Sequence, residues 1–221
     1  MNKNKRSITA FVKIIPFFAC LYLYKYSKNI NASGVMIAFS FSEFFISNYL
    51  SLIGNIMLKY RIATVDDAGN LIKFFRDLDR DSDFMLLSEG ERSNDLENQK
   101  NILSKIGLNS TMILCLDESD ITGFIVVSRG LYLRNKHLAN LVLGVKKNHR
   151  NQGVGKSLIS HALKWCRENK ISQLELTVAV ENKSAIACYL SSGFFFSGIR
   201  KKSLMIKNHY MDEYYMSRSI E

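Results

Sequence analysis

From Lys59 to Ser217 the apolar positions switch repeatedly between a period of two and a period of 3.6, the signature of alternating strands and helices. Lys59–Thr64 alternates as a strand, and Asp66 and Asp67 then stand where a helix N-cap is expected, ahead of Leu71, Ile72, Phe75 and Leu78. Asp79–Glu91 is acidic and aperiodic and reads as loop. Asn94 or Asp95 starts a second helix through Leu96, Ile102, Leu103 and Ile106, with Gly107 as its stop. Thr111–Leu116 and Ile121–Ser128 form two strands around a turn at Asp117–Asp120, and Leu138–Val145 is a third. Gly153–Arg167 is helical, with Val154, Leu158, Ala162 and Trp165 on one face. Leu174–Val180 is a strand, Lys183–Leu190 a helix broken at Gly193, and Phe194–Ile199 and Tyr210–Ser217 are the last strands. The order β-α-α-β-β-β-α-β-α-β-β predicts an α/β (α+β) fold, a mixed central sheet flanked by helices on both faces.

Residues 1–56 do not follow this pattern. They contain an apolar run from Ile8 to Tyr24, interrupted by Lys13 and Pro16, and a longer aromatic run from Gly34 to Leu58 that carries Glu43. Neither is a clean stretch of about 20 apolar residues. Three readings stay open for this extension: a membrane-associating hairpin, a segment packed on the domain, or upstream sequence with the working start at Met57. The expected domain is therefore 57–221, with an apolar, basic extension at 1–56.

Charge narrows the partners. The chain carries a formal +10, but 1–56 hold six basic residues and one acid, while 57–221 hold 24 bases and 19 acids. The body is only mildly basic, so nucleic acid is not an expected partner. Its charge is polarised. Asp66–Glu97 has ten acids against four bases, whereas Ile121–Cys166 has eight bases and no acid. Cys20, Cys115, Cys166 and Cys188 are far apart, and His137, His149, His161 and His209 lack metal-ligand spacing. No zinc site or disulfide framework is expected, and a reducing, cytoplasmic compartment fits, with membrane association through the N-terminus as the open variant.

Arg150-Asn-Gln-Gly153-Val-Gly155-Lys156-Ser157 lies between a strand and a helix. Two glycines there allow a tight turn that aims several N–H groups at one anion, at the positive end of the helix dipole. It is not a Walker A loop, because Arg150 stands where that motif needs glycine, and Leu158 breaks the dinucleotide fingerprint. Read as R-x-x-G-x-G after the apolar strand Leu141–Val145, it resembles the coenzyme A pyrophosphate loop of the GNAT N-acetyltransferase superfamily. Further on, Asn182-Lys-Ser-Ala185-Ile-Ala-Cys-Tyr189-Leu-Ser-Ser-Gly193-Phe194 is similar to the later motif of that family. The resemblance spans about Met57 to Ser217 by element order and leaves 1–56 outside.

That resemblance implies transfer of an acetyl group from acetyl-coenzyme A to a primary amine by direct attack in a ternary complex, without a metal. Backbone amides of Asn151, Gln152, Gly153, Val154, Gly155 and Lys156 would hold the pyrophosphate, with charge from Arg150. Leu143 and Val145 would pair with the pantetheine arm through their backbones, and Asn182 would hydrogen-bond it. Gly144 implies close backbone approach or a bulge. Tyr189, protonated at neutral pH, would donate to the departing thiolate. The strand before the loop has no carboxylate, so the base is open among Glu175, which projects opposite to Leu174 and Leu176, a water chain, or neither, with Glu175 a partnered sheet-face carboxylate. The acidic segment with Asp77, Asp79, Asp81, Asp83, Glu89 and Glu91 suggests a cationic acceptor or, alternatively, a solubilising loop. A module that binds acyl-coenzyme A without turnover, and a membrane-peripheral interaction protein, are the competing readings; the oligomeric state is open.

Overall fold

The computed structural model describes residues 58–107 and 109–221, so the expectations for 1–56 lie outside the described residues. Eleven elements follow in the order expected from the pattern: β1 (Leu58–Ile62), α1 (Ala68–Asp81), α2 (Leu96–Ser104), β2 (Ser110–Asp117), β3 (Asp120–Arg129), β4 (Leu138–Val145), α3 (Val154–Glu168), β5 (Gln173–Ala179), α4 (Lys183–Ser191), β6 (Phe195–Ile206) and β7 (His209–Ser219). The seven strands form one mixed sheet in the spatial order β1-β2-β3-β4-β5-β7-β6. Only β4 and β5 are parallel neighbours.

The two helical layers bury opposite stripes of the same strands. On α1, Leu71, Phe74, Phe75 and Leu78 recur at helical spacing and pack with Leu114 and Phe124 of the sheet. Phe75 and Phe124 meet edge to face at 4.9 Å. On α3, Val154, Leu158, Ile159 and Ala162 pack with Ile113, Ile125, Val127 and Leu141 on the other face. Strand alternation places these two sets, since successive side chains point to opposite faces.

Three local details differ from the sequence expectation. The first helix is preceded by a 3₁₀ turn, Val65–Asp67, with Thr64 at its N-cap. Asp67 does not cap α1; its carboxylate accepts from Thr64 N–H (2.8 Å) and from Arg61 (2.6 and 2.7 Å), tying β1 to the helix. Asp79–Asp81 is helix rather than loop, because buried Asp79 binds Arg92 at 2.7 Å and Arg92 lies over the Phe75 ring. The last two strands are longer than their periodicity indicates. They close over Lys207 and Asn208, both at positive φ, the geometry of a tight hairpin. Within β6, residues 201–203 leave the ladder, and Asp212 accepts from Lys202 N–H and pairs with Lys201. Those two donors hold the Asp212 carboxyl below the usual range, Lys201 being the larger cause.

Among the described residues, no helix is long and apolar enough to cross a membrane.

Candidate functional site

The sheet carries a wedge at its centre. β4 and β5 pair only over Leu138–Asn140 against Gln173–Glu175 and diverge beyond. Ladder parity tells which backbone groups face the gap. Lys146 N–H donates to Thr122 O (2.9 Å) and Gly130 N–H to Leu138 O (3.0 Å), so even-numbered β4 residues bond to β3. The odd-numbered ones face β5. Leu143, with both its N–H and its C=O, and the N–H of Val145 therefore line the open side of the wedge. On β5, Val180 N–H donates to Asp212 O and Ile220 N–H to Ser172 O, which turns even-numbered residues to β7 and leaves Thr177 facing the gap.

Gly144 shows close approach and no bulge. The β3–β4 register runs unbroken, and a β-carbon on Gly144 would lie 2.6 Å from both Leu78 Cδ2 and Phe124 Cε1. Its neighbour Val145 differs from expectation in one respect: its carbonyl already accepts from Arg150 Nε at 3.0 Å. Arg150 thus anchors the loop to β4 through Nε, and its terminal guanidinium nitrogens have no partner among the described residues.

The wedge opens onto the glycine loop. Asn151 (φ 60) and Gly153 (φ 82) are both left-handed, reversing the chain between β4 and α3. Gln152 Nε2 braces the loop by donating to Asn148 O at 2.9 Å. Gly153 is the N-cap of α3 and brings no capping side chain. The first helical bond runs from Ser157 N–H to Gly153 O, so the amides of Val154, Gly155 and Lys156 are the helix's orphan donors. Among the described residues, Asn151, Gln152 and Gly153 N–H also lack an acceptor. Six consecutive N–H groups at a helix N-terminus, with exposed Lys156 in the first turn, make a cradle that could hold an anion. The Val154 side chain is core, so only its amide belongs to the site. Gly155 has a packing role too, since a methyl there would meet Cys188 Sγ at 3.3 Å and Leu143 Cδ2 at 3.5 Å.

That contact brings α4 to the wedge. Asn182 is the N-cap of α4, its Oδ1 accepting from Ala185 N–H at 3.2 Å, which leaves Nδ2 as the group it can offer a ligand. Cys188 lies beside Gly155 and Leu143. Burial pushes its thiol up, with Lys156 pulling in the other direction. Tyr189 is 5% exposed, edge to face with Phe194 at 5.7 Å, and no hydrogen bond among the described residues uses its hydroxyl. Burial raises its pKa well above the phenol range, with the neighbouring Cys188 adding to the effect.

Glu175 lies elsewhere, at the closed end of the wedge opposite Asn140, where Gln173 Nε2 donates to it at 2.6 Å. Its parity puts it on the sheet face away from Leu174, Leu176 and α3. A carboxylate that the sequence reading missed shares that face: Glu213 of β7, 7% exposed, opposite Ala179 at the open end, with Arg200 at 3.6 Å. Only strand register places Glu213 there, and no local motif marks it. Thr177 is likewise placed by strand register alone, whereas Cys188 lies within the Asn182–Phe194 motif. No group of three or more His, Cys, Asp or Glu converges among the described residues.

The acidic segment is largely engaged. Asp79 holds Arg92, Asp77 and Asp81 share Arg80, and Glu91 accepts from Ser88 N–H. Asp83 binds Lys207 at 2.7 Å, linking the loop after α1 to the tip of the β6–β7 hairpin.

Comparison with known proteins places this arrangement. The chain is 30% identical over 122 residues to the L-amino acid N-acetyltransferase AaaT of Escherichia coli (strain K12), covering 54% of this chain and 74% of that one. A GNAT-family acetyltransferase from Streptococcus pneumoniae superposes with a TM-score of 0.71 at 25% identity, over 74% of this chain and 99% of its own. The structure of yncA from Salmonella typhimurium, solved with its cofactor acetyl-CoA, gives 0.67 at 14% identity, over 75% and 95%, and shares the fold. The model of the acetyltransferase (GNAT) family matches residues 72–194, which takes in α2, the wedge, the anion cradle and Tyr189, and the chain belongs to that family.

Proposed function

We propose that this protein transfers the acetyl group of acetyl-CoA to a primary amine by direct attack within a ternary complex, with residues 57–221 as the catalytic unit. The observation that carries the reading is the β4–β5 wedge opening onto the six N–H groups of Asn151–Lys156. Those residues fit the coenzyme. The cradle suits a pyrophosphate, the unpaired edge of Leu143 and the Val145 N–H suit an amide-bearing arm, and Arg150 and Lys156 supply positive charge. The bound coenzyme would supply an activated acyl thioester.

The rest is the work of this chain. The attacking nitrogen needs a free lone pair, and an alkyl ammonium of pKa about 10.4 costs about 4.6 kcal/mol to deprotonate at pH 7. Glu175, on the sheet face away from α3, is the proposed relay, directly or through water. Tyr189, kept protonated by its burial, donates a proton as the carbon–sulfur bond breaks, so the thiol rather than the thiolate departs. The E. coli relative is an amino acid acetyltransferase, which supports an amine acceptor. A cationic acceptor is the finer reading, supported in that segment by Glu89, which has no partner among the described residues, and by the exposed Asp83–Lys207 pair. Acetylation rates insensitive to salt and to Asp83→Asn/Glu89→Gln would refute that part.

The direct test is calorimetric titration of acetyl-CoA into the full chain, beside Gly153→Asp and Gly153→Asn. Asn tolerates the left-handed backbone, whereas Asp adds charge against the phosphate. Saturable binding that survives Asn and fails with Asp supports the cradle. Binding unaffected by Asp would overturn it. Binding without amine-dependent thiol release would instead mean a coenzyme-binding module without turnover.

A further inference from the structure

The turn joining β3 to β4 lies at the end of β4 away from the anion cradle and has no part in the wedge. It displays Leu131, Tyr132 and Leu133, which are 72%, 75% and 82% exposed. Three consecutive large apolar side chains in water are unfavourable, and a loose loop would relieve them by folding back. This turn is held out by its own hydrogen bonds. Asn135 Oδ1 accepts from Tyr132 N–H (2.9 Å), and Tyr132 O accepts from Asn135 N–H (2.9 Å) and Lys136 N–H (2.8 Å). Arg129 Nε donates to Lys136 O across the base. A β-carbon on Gly130 would collide with Asn135, so glycine is what lets the turn close.

The surroundings of the tip are basic. Arg134 and Lys136 are exposed on the turn itself. The neighbouring α3–β5 turn, joined to it by Ser172 N–H donating to His137 O (2.9 Å), carries Lys170. Lys105 caps α2 at the same end, near where Arg129 N–H donates to Asn109 O. Among the described residues the nearby acids are Glu168, which faces Lys164 at 3.9 Å, and Glu221, next to Ile220, whose N–H donates to Ser172 O. A rigid apolar tip ringed by cations is complementary to an anionic bilayer, whose acyl boundary takes the tip and whose phosphates take the ring. A second copy would set two positive rims against each other, which charge opposes.

We propose that the β3–β4 turn docks the protein on an anionic lipid surface, with Leu131, Tyr132 and Leu133 entering the interface. The eight residues of β4 place the anion cradle about 25 Å from the tip, at about 3.3 Å per residue, so the wedge stays open to solutes. Each cation near such a surface strengthens binding roughly fivefold, and each leucine leaving water contributes on the order of tenfold.

The test is sedimentation of the full chain with vesicles of phosphatidylcholine alone and mixed with phosphatidylglycerol. Binding should require the anionic lipid and weaken with salt. Leu131→Ser/Tyr132→Ser/Leu133→Ser should lower it at least tenfold while leaving the thermal unfolding midpoint unchanged. The indole introduced by Tyr132→Trp should be quenched by brominated lipid beyond the Trp165 background of the parent protein. Three results would overturn the proposal: no binding by the parent chain, undiminished binding by the triple variant, or a parent dimer that the triple variant converts to monomer. The last would identify the tip as a contact between copies.

Discussion

Replacing Tyr189 by Phe separates the chemistry of that side chain from its packing. The phenyl ring keeps its edge-to-face contact with Phe194 at 5.7 Å and its place in the core beside α3. The lost hydroxyl forms no hydrogen bond among the described residues, so no buried partner is orphaned. Stability should therefore change by no more than about 0.5 kcal/mol. Turnover should behave differently. Removing a proton donor from the bond-breaking step costs about 10²–10³-fold in kcat, which is about 3–4 kcal/mol of barrier. Acetyl-CoA affinity should stay within about threefold, since the cradle is formed by the backbone of Asn151–Lys156. The assay is steady-state thiol release at saturating amine, alongside calorimetry and thermal unfolding. pH adds a check on sign. Burial raises the Tyr189 pKa, so the donor stays protonated through neutral and mildly alkaline pH. The wild-type rate should rise with pH as the amine loses its proton, with no alkaline fall below pH about 10. A variant turning over within threefold of wild type would refute the donor role, as would a loss of activity matched by a large loss of stability.

Glu175→Gln should lower kcat about 10²-fold; undiminished activity would leave the proton to water or to Glu213, for which Glu213→Gln is the parallel experiment. Gly144→Ala should destabilise the fold by about 1–3 kcal/mol, because its methyl enters the 2.6 Å space beside Leu78 and Phe124, and an unchanged urea midpoint would contradict that packing. Arg61→Ala should cost about 1 kcal/mol at pH 7, a modest figure because Arg61 is 43% exposed. Arg61 holds the Asp67 carboxyl below its usual range, so that stability is present above about pH 4 and lost as pH falls through the folded-state value. Parent and Arg61→Ala should thus converge in acid, and a constant difference down to pH 2 would exclude the pairing as its source.

Much of this protein is legible along the chain because it depends on neighbours in sequence. Apolar runs bounded by turn residues mark β2, β3 and β4, helical spacing marks α1 and α3, and the residues of the cradle are contiguous. Their chemistry follows from two glycines and a helix start. Asp95, the cap of α2, is legible for the same reason: its partners are Glu97 and Asn98. Other features depend on residues distant in sequence. Asp79–Asp81 reads as loop because nothing nearby shows that Arg92 will neutralise Asp79 inside the fold. β6 runs on to Ile206 because β7 pairs with it, although its own positions lack a clean alternation. The insertion of β7 between β5 and β6, and the parting of β4 from β5 after Asn140, arise from strand pairing over long separations. Those pairings decide that Leu143 offers a free edge, that Arg150 holds Val145 O, and that Glu213 shares a face with Glu175. Local periodicity determines which residues become strand or helix; only the closed sheet determines which of their groups are left without a partner, and those groups build the site.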